Sequence, residues 1–190
     1  RPETQPTAAG EDLRAVADAA VRRGLAAEVR HVDGVAFGYR LVRALPVPPP
    51  KVSIIMPTRD GGSVLARAVD GVLAGTDYAN LELLLIDNGS TCEQTLGVLA
   101  RAAEDPRVQV LRDDSPFNFS ALNNRAAAKA RGDVFVLLND DVEVLPDQAD
   151  WLRELASYAL VPEIGCVGAK LLYPDGTVQH GGVILGIGGV

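Results

Sequence analysis

From Lys51 onward the chain repeats one phrase: a short apolar run, a polar tip, then apolar residues at helical spacing. Val52 to Met56 reads as a strand running into Pro57, Thr58, Arg59, Asp60, Gly61 and Gly62, after which Leu65, Val69, Val72 and Leu73 mark one helix face. Leu81 to Ile86 reads the same way and runs into Asp87, Asn88, Gly89 and Ser90. Ser90 and Glu93 have the spacing of a capping box, which predicts a helix opening at Ser90 and carrying Leu96, Leu99 and Ala103. Arg107 to Leu111 is a third strand, followed by a loop through Asp113, Asp114 and Pro116. A helix is expected from Ser120 to Arg131, where the alanines at 126–128 favour it. The stretch from Gly132 to Glu143 is the focal one: an apolar run that stops abruptly at Asn139, Asp140 and Asp141, as a buried parallel strand does where it meets its loop. Trp151, Leu152 and Leu155 then mark the core face of a helix after Pro146.

Ahead of Lys51 the pattern differs. Residues 1–10 have no apolar period and read as a loose end. Leu13, Val16, Ala17, Ala20 and Val21 recur at helical spacing between Glu11 and Arg23, and Gly24 is a stop signal. Apolar residues from Val29 to Val42 lie about Asp33 and Gly34, predicting a short hairpin or extended pair. Pro46 to Pro50 is a stiff spacer. The expected division is a leader over 1–50 and a second domain over 51–190.

Strands that alternate with helices pair in parallel through right-handed crossovers, so the second domain is expected to be α/β, with a mostly parallel, doubly wound, Rossmann-like sheet. In such a sheet a ligand sits beyond the carboxyl ends of the strands, where the winding reverses. The first, second and fourth predicted strands all end in polar clusters at that edge. A solvated turn needs no such convergence, and the coincidence points to a nucleotide or phosphate site. Two adjacent carboxylates in one tip repel each other, and a bound divalent cation is the usual remedy.

Composition narrows the partners. With 190 residues, 47% of them apolar, the chain can bury one good core. A net charge of -7 and the absence of a basic stripe argue against nucleic acid, and in so acidic a chain phosphates call for a cation. Cys92 and Cys166 lack metal-type spacing and fit a reduced protein. The chain carries no evident signal peptide, the terminal apolar run from Gly182 to Val190 is too short to span a bilayer, and both ends read as cut.

Several phosphate grips are missing. There is no Gly-x4-Gly-Lys-Ser/Thr segment, and the first strand is not followed by Gly-x-Gly-x-x-Gly. Met56 and Pro57 stand where a receiver-type phosphoacceptor would want its acidic pair. An acidic, cation-dependent diphosphate site remains.

Val52 to Asp60, Leu84 to Thr91, Ala121 to Ala126 with Ala130 to Gly132, and Leu138 to Asp141 resemble, in order and spacing, the family-2 inverting glycosyltransferases of GT-A fold. The resemblance covers roughly residues 51 to 190. The wording from Pro116 to Asn124 and from Asp175 to Gly182 is most similar to the bacterial, rhamnosyltransferase-like subgroup that builds O-antigen and other surface polysaccharides. It implies a sugar moved from a UDP- or dTDP-type donor to a saccharide or lipid-linked saccharide acceptor, with Mg2+ or Mn2+. The setting it implies is the cytoplasm, with peripheral association at the inner face of the membrane. Carried over by position, Pro57 and Thr58 lie along the nucleotide and Asp87 accepts a hydrogen bond from the base. Asn139 and Asp140 reach the ribose and the cation, Asp141 takes the principal metal-ligand position with Asn139 beside it, and Asn118 and Asn124 lie near base or diphosphate. The general base of an inverting transfer is expected beyond Val190, the domain being read as truncated.

The family's usual Asp after Gly-Ser-Thr is Cys92 here, and the first Asp of Asp-x-Asp is Asn139, which costs a charge and keeps an oxygen ligand. His180 is a candidate contact for phosphate or acceptor and equally a structural histidine. Arg59 reads as a phosphate partner or a surface residue, and Arg125 with Lys129 as a solvated helix face. Two other functions stay open: a sugar nucleotidyltransferase, which wants a Gly-rich loop with a basic residue near the first strand, and a non-catalytic nucleotide-sugar-binding module.

Overall fold

The computed structural model describes residues 6–35 and 37–183, which fall into two compact units, one up to Pro48 and one from Pro49. In the first, helix α1 (Pro6–Arg22) is followed by strands β1 (Ala27–His31) and β2 (Tyr39–Arg43), paired antiparallel with Ala27 opposite Arg43 and His31 opposite Tyr39. The helix starts ahead of the apolar period that predicts it. It stops where expected, at Gly24, whose φ of +67° most side chains avoid.

The second unit runs β3 (Val52–Thr58), α2 (Gly62–Ala74), β4 (Leu81–Asp87), α3 (Glu93–Ala102), β5 (Val108–Arg112), α4 (Phe119–Ala127), β6 (Val134–Leu137), α5 (Trp151–Ala159) and a small antiparallel pair, β7 (Leu171–Leu172) with β8 (Val178–His180). The four longer strands form one parallel sheet in the order β5-β4-β3-β6. The chain steps outward from β3 to β5 and then returns to the far side of β3, so the winding reverses between β3 and β6.

Every residue of β4 is buried, which is what a strand covered on both faces requires of a continuous apolar run. On one face, Leu122 and Ala126 of α4 pack against Ile55, Leu84 and Ile86. Glu82 interrupts the run and is itself only 4% exposed. Its carboxylate accepts from Ser53 Oγ at 2.6 Å, from the Arg131 amide at 2.6 Å and Nε at 2.8 Å, and pairs with Lys51 Nζ at 3.4 Å. Burial pushes its pKa up, but Ser53, Arg131 and Lys51 more than offset that and hold it down at about 2. Ser53 Oγ also accepts the Gly132 amide at 2.8 Å, and Lys51 donates its amide to Asp133 at 3.0 Å. The entry to β6 is thereby tied to β3 and β4.

Three expectations for this unit need correction. The focal strand is not buried: β6 is the outer strand of the described sheet, its residues alternate between half-buried and exposed, and Phe135 and Leu137 are 51% and 58% exposed. A short apolar run does not reveal which of its faces has a neighbour. The capping box does not form either. Cys92, not Ser90, is the residue before α3, because the Ser90 hydroxyl is taken by the Asp60 amide at 3.0 Å. Helix α4 ends at Ala127, short of Arg131.

Candidate functional site

The parallel register brings the predicted tips together. Thr58 is the partner of Asp87 across β3 and β4, and Asp87 is the partner of Arg112 across β4 and β5. On the other side, Thr58 Oγ1 donates to Asp140 Oδ2 at 2.6 Å, a bond between residues 82 apart in sequence. Thr58 and Asp87 are 4% and 3% exposed, and Asp140 is half-buried. The ends of the first, second and fourth strands of this sheet therefore meet at one edge, at the point where the winding reverses.

Asp87 is a satisfied carboxylate. Oδ1 accepts the Ser90 amide at 2.8 Å, and Oδ2 accepts Arg112 Nη1 at 2.7 Å. Burial raises its pKa, yet the bonds from Ser90 and Arg112 outweigh burial and keep the carboxyl below the usual range, so it is ionised at neutral pH. Arg112 also donates to Asp114 Oδ1 at 2.6 Å and to the Ser90 carbonyl at 3.0 Å. Sequence reading passed over Arg112. An arginine closing an apolar strand beside a predicted acidic tip was the available signal, but its partner is fixed by register alone.

The remaining predicted residues spread along the same edge. Pro57 is half-buried in β3. Asn139 and Asp141 are exposed on the turn after β6 and flank Asp140. Asn118 is the N-cap of α4, its side chain accepting the Ala121 amide at 3.0 Å, whereas Asn124 is exposed on that helix. The loop between β5 and α4 is braced. Asn88 Nδ2 donates to the carbonyls of Asp113 and Ser115, both at 2.9 Å. Arg125, expected on a solvated face, binds Asp113 at 2.7 Å and Ser115 Oγ at 2.9 Å. Arg67 of α2 pairs with Glu143 past the acidic turn. Trp151, expected in the core face of α5, is half-buried and donates Nε1 to Thr76 at 2.9 Å, while Leu152 is fully buried. Cys92 and Cys166 are free thiols, and His180 is exposed on β8.

The oxygen set at the β6 tip suits a hard divalent cation. It offers the Asn139 amide and the Asp140 and Asp141 carboxylates on consecutive residues, with Asp140 oriented by the Thr58 hydroxyl. No group of three His, Cys, Asp or Glu among the described residues is arranged to hold a metal.

The chain is similar to known proteins in sequence and fold. The profile of glycosyl transferase family 2 matches residues 53–182. An uncharacterized protein of Sinorhizobium fredii is 45% identical over 193 residues, covering 96% of this chain and 21% of that protein. The O-antigen biosynthesis protein RfbC of Myxococcus xanthus is 43% identical over 184 residues, covering 96% of this chain and 14% of that protein. The O-antigen chain rhamnosyltransferase RfbN of Salmonella typhimurium is 30% identical over 128 residues, covering 66% of this chain and 38% of its own. The chain thus spans well under half the length of each. Among solved structures, the mannosyltransferase PcManGT of Pyrobaculum calidifontis, in complex with GDP-Man and Mn2+, matches with a TM-score of 0.54 at 23% identity, over 60% of this chain and 34% of that one. TarS of S. aureus (residues 1–349) matches with a TM-score of 0.50 at 20% identity, over 57% and 32%. At such identities the likeness is one of fold.

Proposed function

We propose that this chain, which belongs to glycosyl transferase family 2 and has an α/β sheet of the GT-A type, is the donor-binding part of an inverting enzyme. That enzyme moves a sugar from a nucleoside diphosphate to the hydroxyl of a saccharide or lipid-linked saccharide, in the building of a surface polysaccharide of the O-antigen kind. The observation that carries the reading is the Thr58–Asp140 hydrogen bond, with Asp87 in register beside Thr58. It brings three strand tips to one edge at the switch point of the sheet. The names of RfbC and RfbN support the polysaccharide assignment, and the GDP-Man and Mn2+ bound to PcManGT support a nucleotide sugar with a divalent ion.

In this reading the nucleotide lies along Pro57 and Thr58. Asp87, kept ionised and fixed in place by Ser90 and Arg112, accepts a hydrogen bond from a base N–H. Asn118 and Asn124 stand at the base and diphosphate, and Asn139 and Asp140 at the ribose and cation. Asp141, with Asn139 beside it, holds Mg2+ or Mn2+. Bound there, the ion supplies neutralisation of the charge on the departing diphosphate. Thr58 keeps the Asp140 carboxylate turned toward that edge. No helix among the described residues is long and apolar enough to cross a membrane, and the proposed setting is the cytoplasm, at the membrane face where a lipid-linked acceptor is presented.

Calorimetric titration with UDP, dTDP and GDP, each with and without Mn2+, tests this. The expected result is diphosphate binding that requires Mn2+ and is lost in Asp141→Ala. Metal-independent binding would instead identify a nucleotide-binding module, and no binding of any diphosphate would refute the donor-site reading.

A further inference from the structure

The loop that leads from β3 into α2 also holds its neighbour in place. Asp60 has a φ of +55°, a region that few side chains enter and that aspartate tolerates better than most. Its Oδ1 reaches across to the loop after β4 and accepts the amides of Thr91 and Cys92, both at 2.8 Å. Its own amide donates to Ser90 Oγ at 3.0 Å, and Ser90 donates its amide in turn to Asp87. On the opposite side the chain is wedged. A Cβ on Gly61 would stand 2.9 Å from Asp140 Oδ2 and 3.1 Å from Thr58 Oγ1. The Gly62 amide then donates to the buried Thr95 hydroxyl of α3 at 2.9 Å. Residues 60–62 therefore touch the strand tips on either side: Thr58 with Asp140 on one, and the loop carrying Asp87 and Ser90 on the other.

The geometry points to Asp60 as a positioning residue that latches the loop after β4 to the loop after β3 and so sets the width at which a nucleoside diphosphate is gripped. This rests on the donor-site reading above. The role asks for an acceptor oxygen at that place and not for a charge, because a single oxygen receives both amides. Asparagine keeps the oxygen and also tolerates the positive φ. Glycine suits the φ and removes the latch.

The test measures UDP affinity in the presence of Mn2+ for the wild-type chain, Asp60→Gly and Asp60→Asn, together with amide hydrogen exchange at Thr91 and Cys92. Asp60→Gly is expected to weaken binding about ten-fold and to speed exchange at both amides by a similar factor, while Asp60→Asn restores both to within about three-fold of wild type. Slow exchange in β3 and β4 serves as the folding control in each variant. The proposal is overturned if Asp60→Gly binds UDP like wild type. It is equally overturned if Asp60→Asn binds as weakly as Asp60→Gly with Thr91 and Cys92 still protected, since the charge would then act on ligand or metal directly. Should the wild-type chain bind none of UDP, dTDP and GDP, the donor-site reading fails, and unchanged exchange at Thr91 and Cys92 in Asp60→Gly would still refute the latch on its own.

Discussion

The parallel sheet has charged groups at both ends, and the ends treat them differently. At the amino ends of the strands, Glu82 is enclosed and receives Ser53, Arg131 and Lys51, so its charge is answered from within the protein. At the carboxyl ends, Asp87 has Arg112 and Ser90, and Asp140 has Thr58, but Asp141 and Asn139 stand exposed on the turn beside them. A charge buried without partners is costly. The first arrangement is complete without a ligand, whereas the second leaves oxygen donors aimed at solvent where the winding reverses. The same strands β3 and β4 carry both, and β6 is anchored at one end by the network that positions its tip at the other.

That contrast can be broken from either end, with the largest effect at the closed one. In Gly132→Ala, a Cβ would fall 2.6 Å from the Ser53 amide nitrogen and 2.8 Å from the Lys51 carbonyl, so backbone must move. The expected loss is about 3 kcal/mol by chemical denaturation. Glu82→Gln removes the enclosed charge but not its volume and should lose about 2 kcal/mol, with diphosphate affinity in the folded protein unchanged. The same residue makes a pH prediction. Its folded pKa of about 2 lies below the ordinary 4.5, so its contribution is complete above about pH 4.5 and disappears as pH falls toward about 2. Acid denaturation over that window should be shallower in Glu82→Gln than in wild type.

At the open end, Thr58→Val keeps the β-branched shape and deletes the hydroxyl. It should lose about 1 kcal/mol of stability and weaken Mn2+-dependent diphosphate binding, because Asp140 loses its orienting donor. The smallest effect on stability belongs to Asp141→Ala, within about 0.5 kcal/mol by denaturant titration, since that side chain is exposed. Its effect on metal-dependent binding should be the greatest of the four.

Much of this was legible in the chain. The apolar run from Leu81 to Ile86 and the polar residues following three of the strands sufficed to predict a parallel sheet with three polar tips on one edge. Glu82 was passed over inside that run, although a charge in a buried strand must have partners, and nothing in the sequence named Arg131 and Ser53. What stayed hidden depended on pairing across space. Arg112 meets Asp87 only through strand register. Ser90 was misassigned as a cap because the distant Asp60 amide claims its hydroxyl. The exposure of Phe135 and Leu137 follows from the place of β6 at the sheet edge, which the residues of the strand do not encode.

The central claim, that the carboxyl edge is left open for a metal-bound diphosphate while the amino edge is closed on itself, is tested most directly by thermal melting with UDP, with and without Mn2+. The account predicts that UDP with Mn2+ raises the melting midpoint of wild type and of Glu82→Gln by equal amounts, and leaves Asp141→Ala where it was. An upward shift that appears without Mn2+, or that survives in Asp141→Ala, would contradict it.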